Sequence, residues 1–234
     1  MFNSSIMDHT NRRRYIFFLY LAAFLIIALV VILDRISEIN ASLLLCDPTA
    51  RLGGEFYVGM VSNIGILIWC STAAICLFSW GVVRRDKSEG EWGRFFVFAG
   101  ILTAILALDD LFLFHDEIVP DFLFPKGSLI HINEKVVFAL YGIIALWFLI
   151  SSRDTIRKTN HRLLVLAITF FALSIVAERG FIKHIIPDSK IRRIMEDGMK
   201  LFGIVSWFAY FSLTAHDRLL AFRNKPSKAG PPPG

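Results

Sequence analysis

Apolar residues gather in six long segments along this chain, at roughly 15–33, 58–83, 95–115, 135–151, 163–181 and 195–214, with charged residues between them. Each run is close to the ~20 residues a helix needs to cross ~30 Å of hydrocarbon. The pattern predicts an all-α fold, a polytopic transmembrane bundle of six helices. The first run follows Arg12-Arg13-Arg14 and passes straight into Asp34-Arg35. A cleavable signal peptide has an apolar core of only about 7–15 residues and a small-residue cleavage site. The first run therefore reads as an uncleaved helix.

Six spans place both termini on one side, and the basic residues say which. With the N-terminus in the cytoplasm, 15 of the 25 Lys and Arg residues fall on cytoplasmic segments, among them Arg84, Arg85, Arg157, Lys158 and Arg218. That orientation satisfies the positive-inside bias, and its reverse violates it. The organisation expected is a cytoplasmic N-terminus over 1–14, a six-helix membrane domain over 15–216 and a cytoplasmic tail over 217–234. The end of that tail is rich in Pro and polar residues and reads as disordered. The expected location is the cell membrane, as a multi-pass protein.

Composition supports this reading. Hydrophobic residues make up 55% of the chain and charged residues 19%, with a mean hydropathy of +0.58, as in membrane proteins. The net charge of +5 is explained by orientation. No basic face with interleaved aromatics is present, so nucleic acid is not an expected partner. Cys46, Cys70 and Cys76 are odd in number and lack CxxC spacing, which supports neither a disulfide framework nor a cysteine metal site.

The topology places the polar residues unevenly. Of the 20 acidic residues, 14 fall on the outer half, which marks that half as the site. Asp109 and Asp110 lie inside the third apolar run, and each costs about 2.5–3.5 kcal/mol at mid-bilayer. Asp109 is about 21 Å along its helix from Phe95, and Glu178 about 22 Å from Leu163, at 1.5 Å per residue. Glu196, Asp197 and Lys200 open the last run, and Lys135 and Arg179 lie at a similar level. Asp109 and Asp116 are seven apart and share one helix face, Asp110 and Glu117 form a parallel pair, and His115 projects elsewhere. On the last helix, Glu196 and Lys200 are spaced to pair.

Three chemistries fit these residues. The first is a divalent-metal site (Zn, Mn or Fe) built from Asp109, Asp110, His115, Asp116, Glu178, Glu196 and Asp197. A spare carboxylate would then act as general base on a lipid or other amphiphile entering from the outer leaflet. The second is a non-enzymatic accessory or structural subunit, in which Lys135, Arg179 and Lys200 neutralise the carboxylates. Its partners would be the lipid bilayer and other membrane subunits. The third is ion- or proton-coupled transport, with His115 as relay. Elsewhere, Trp69, Trp80, Trp92, Trp147 and Trp207 read as interface anchors or packing, and His216-Asp217-Arg218 as a solvated helix end.

The stretch Leu108-Asp109-Asp110, four residues, His115-Asp116 resembles a Leu-Asp-Glu-x4-His-Glu signature of uncharacterised bacterial multipass membrane proteins. Their last helix often opens with a paired acid and a Leu-Gly-Ile-like run, and Glu196-Asp197-Gly-Met-Lys-Leu-Phe-Gly-Ile204 is similar. The resemblance implies that Asp109, Asp110, His115, Asp116, Glu196 and Asp197 belong together. It brings no activity with it. Asp stands for Glu at positions 110, 116 and 197, which shortens each arm by a methylene. A second comparison, with alkaline ceramidases and related seven-helix receptors, stops at the general class of intramembrane metal hydrolase. This chain lacks the His-x-x-x-His pair on its last helix.

Overall fold

The structure is a computed structural model, which describes residues 9–36, 40–46, 57–115, 119, 134–178 and 186–224. The described residues are helical, without a strand. Helix α1 spans His9–Ile36, α2 Ala41–Leu45, α3 Met60–Val83, α4 Gly90–Phe112, α5 Glu134–Ser151, α6 Arg153–Arg157, α7 Arg162–Glu178 and α8 Ser189–Arg223. A 3-10 turn, Lys87–Glu89, leads into α4.

Among the described residues, three helical stretches are long and apolar enough to cross a membrane: Ile16–Ile36, Met60–Val83 and Lys87–Phe112. The apolar parts of α5 and α7 are shorter. Helix α8 is the longest, at 35 residues, and is charged toward both ends. It continues past the expected end near 214 to Arg223, so the first residues of the expected tail are helical.

Helix α8 is the hub. Its middle section is apolar nearly all round, the signature of a helix buried on every side. Leu201, Ile204, Val205, Trp207, Tyr210 and Phe211 are all buried, and α8 packs against α7, α3 and α1. Gly203 sets the approach of α7, because a Cβ there would lie 2.6 Å from the Phe171 ring. Helix α4 packs chiefly on α3. It reaches α8 through Trp207 Nε1, which donates to Thr103 Oγ1 at 3.0 Å. The hydroxyls of Tyr20 and Ser206 join α1 to α8. Helix α5 lies at the periphery against α4 and inserts Phe148 beside Phe95 and Phe211.

The outward faces are apolar too. Phe17, Phe18, Phe24 and Leu25 on α1, Leu67 and Phe78 on α3, Ile143 and Leu146 on α5, and Val165 on α7 are all exposed. Contiguous apolar surface on this scale is not sustained in water.

At the end of the bundle that holds Val83, charge is buried and paired. Glu89 is 2% exposed and accepts from Arg218 Nε at 2.7 Å. The Arg218 guanidinium lies over the Trp92 ring, 4.8 Å from its centroid. This corrects the expectation of a solvated helix end for Arg218, while the His216 and Asp217 side chains remain 38% and 39% exposed. Arg218 turns inward because a buried carboxylate requires a counter-charge.

Candidate functional site

Helix α4 does not run through residue 117. It ends at Phe112, and Leu113 takes a left-handed conformation (φ 55°, ψ 43°) with its N–H donating to the Asp109 carbonyl. A branched side chain there costs on the order of 1–3 kcal/mol. The site offsets part of that cost, because the turn brings residue 115 back over the helix end. The His115 backbone N–H donates to Asp109 Oδ1 at 3.0 Å, and His115 Nδ1 lies 2.5 Å from Asp109 Oδ2. The expectation that His115 projects away from Asp109 is thus overturned. It assumed an unbroken helix, and the broken one makes the two residues direct partners. The expected shared face of Asp109 and Asp116 involves a residue outside those described.

Asp109 has a third partner: the Tyr141 hydroxyl of α5 donates to Oδ1 at 2.8 Å. Asp109 and His115 are 4% and 7% exposed, and the His115 ring leans on Phe138, with centroids 4.4 Å apart. Nδ1 is the ring nitrogen that faces Asp109, and an imidazole can carry a proton on either nitrogen or on both.

The neighbouring carboxylate faces another way. Asp110 is 8% exposed. Its Oδ2 accepts from Trp69 Nε1 of α3 at 3.1 Å, and its Oδ1 from Lys200 Nζ of α8 at 2.8 Å. Trp69 is itself fixed, stacked on Phe171 and edge-on to Trp207. Successive residues on a helix point about 100° apart, so one dipeptide gathers α3 and α8 on one side and α5 on the other.

Of the expected site residues, the structure thus brings Asp109, Asp110, His115 and Lys200 together. Glu196 and Asp197 lie on α8 within about one turn of Lys200, and one Asp197 carboxylate oxygen is shielded from solvent. Asp116, Arg179 and the side chains of Lys135 and Glu178 lie outside the described residues. Trp69 and Tyr141 are the members the sequence reading passes over. Each is a hydrogen-bond donor set in an apolar run, which needs a buried acceptor.

The metal expectation gains no support here. Among the described residues, no group of three or more His, Cys, Asp or Glu side chains is placed to hold an ion. The carboxylate oxygens of Asp109 and Asp110 already accept from His115, Tyr141, Trp69 and Lys200. What the arrangement offers chemically is an acid–base pair beside an ion pair.

Comparison with known proteins gives one family. DUF8692, described as a domain of unknown function, matches residues 8–214. No curated protein matches the chain, and no solved structure matches it. The chain therefore belongs to the DUF8692 family.

Proposed function

We propose that this member of the DUF8692 family is a six-span integral membrane protein with both termini in the cytoplasm, and that the Asp109–His115 pair is a proton-exchanging site near its outer face. Support for the spans comes from the three stretches of membrane-crossing length and from the apolar surfaces of α1, α3, α5 and α7. The basic residues supply the orientation.

One observation carries the proton reading. Adjacent buried carboxylates are held by different ionisable partners, His115 on Asp109 and Lys200 on Asp110. Over these four groups, two carboxylates face one ammonium while His115 is neutral. A single added proton balances them. Buried charge is tolerated when it is balanced, and the imidazole is the member suited to exchange a proton near neutral pH. A purely structural clasp would need only Asp110, Trp69 and Lys200. Because charged residues thin out toward the inner halves of the helices, the site exchanges protons with the outer face rather than conducting them across.

Proton uptake after a pH jump tests this, followed with an indicator dye on protein in detergent. The wild type should take up about one proton more than His115→Gln between about pH 8 and 5. Equal uptake by the two proteins, with both folded, would sink the proposal. Impermeant thiol reagents test the orientation. A cysteine placed in 117–133 should react from outside, and one placed at Arg85 should not.

A further inference from the structure

The site just described leaves unexplained a cavity at the opposite end of the bundle. It encloses about 310 Å³ among α1, α4, the α6–α7 corner and α8, within the range of small-ligand sites. Its lining is divided. Lys158, Asn160, Asp217 and Arg218 supply polar atoms, while Ile16 and Leu163 supply an apolar side. That combination fits an amphiphile whose head carries both signs of charge.

The cations are held but not used up. Arg218 gives Nε and Nη2 to Glu89, and a guanidinium has five N–H donors, so the Nη1 edge remains. Lys158 gives one hydrogen bond to Glu91 at 2.7 Å, and an ammonium has three. Glu91 is fixed further by Thr155 at 2.9 Å, which holds Lys158 at the cavity. Guanidinium and ammonium together suit phosphate oxygens. Asp217, whose Oδ1 lies 3.4 Å from His216 Nδ1, stands in the same lining and would repel a head that carried only negative charge. A head with phosphate and ammonium satisfies both.

The geometry points to this cavity as a binding site for a phosphoethanolamine group, with Lys158 and Arg218 on the phosphate, Asp217 on the ammonium, and the glycerol side against Ile16 and Leu163. The group has two sources, a phosphatidylethanolamine of the surrounding leaflet or a soluble phosphoethanolamine ester. The reading depends on this end of the bundle lying at a membrane surface. It does not depend on the Asp109–His115 site.

Native mass spectrometry of the detergent-purified protein tests it, with phosphatidylethanolamine, phosphatidylglycerol and soluble glycerophosphoethanolamine as probes. Phosphatidylethanolamine should be retained about tenfold better than phosphatidylglycerol, the worth of one charge-assisted hydrogen bond. Asp217→Asn should erase that preference, and Lys158→Ala should weaken both lipids. Both residues are at least partly exposed, so folding is spared. Tighter binding of the ester than of the lipid assigns the soluble source, and the reverse assigns the leaflet; either supports the headgroup chemistry. Equal retention of the two lipids by the wild type, or a preference that survives Asp217→Asn, overturns the proposal. If the protein still partitions into membranes in that event, only the cavity reading fails.

Discussion

The pairing of Asp110 with Lys200 can be tested by its energy. Asp110 is buried and its Oδ1 lies 2.8 Å from Lys200 Nζ. Removing one partner of a fully buried pair costs about 3–5 kcal/mol. Lys200 is not fully buried: its side chain is 38% exposed, so solvent screens part of the loss. Asp110→Asn or Lys200→Gln alone should therefore cost about 1–3 kcal/mol. The double variant leaves neither charge stranded. It should cost about 1–2 kcal/mol less than the sum of the two singles, the coupling expected of residues in direct contact. Reversible unfolding in mixed micelles, titrated with denaturing detergent, gives the three differences. Additivity within about 0.5 kcal/mol would refute the reasoning, because the charges would then be acting independently.

Other consequences are simpler to measure. Gly203→Ala should destabilise by about 1–3 kcal/mol through overpacking, since Phe171 is held between Trp69 and Trp207 and cannot withdraw from the new Cβ. Gly142→Ala, with no atom within 4 Å of its Cβ, should be neutral or stabilising by up to about 1 kcal/mol; the same unfolding assay reads both, and equal losses would contradict the packing described. Glu89→Ala should cost about 1–3 kcal/mol by taking the counter-charge from a partly buried Arg218, whose side chain is 24% exposed, and no measurable loss would restore the reading of a solvated helix end.

The long helices were largely legible in the sequence, because a span of ~20 apolar residues is a strong signal. The runs at 58–83 and 135–151 match α3 and α5 within two residues. Helix α8 was legible only in its middle. Its charged ends continue the helix without continuing the apolar run, from the Asp188 cap to Arg223. The candidate site was legible as a set of residue types and not as a set of contacts. Asp109 and Asp110 stood out by cost alone. That His115 meets Asp109 depends on a left-handed Leu113, a conformation leucine seldom takes and no periodicity reveals. Trp69 and Tyr141 were concealed by chemistry, since a mostly apolar side chain in an apolar run reads as packing whether or not its polar end has a partner. Arg218 misled for the opposite reason: its counter-charge, Glu89, lies 129 positions away along the chain.

The central claim is that Asp109 and His115 act as one acid–base unit, and the nitrogen resonances of His115 test it most directly. In protein labelled with ¹⁵N-histidine, the His115 signal is identified by its loss in His115→Gln. It should titrate as a single event in the wild type. In Asp109→Asn the midpoint should move to lower pH, because the imidazolium loses the carboxylate at 2.5 Å. A His115 signal that titrates identically in the two proteins would contradict the account.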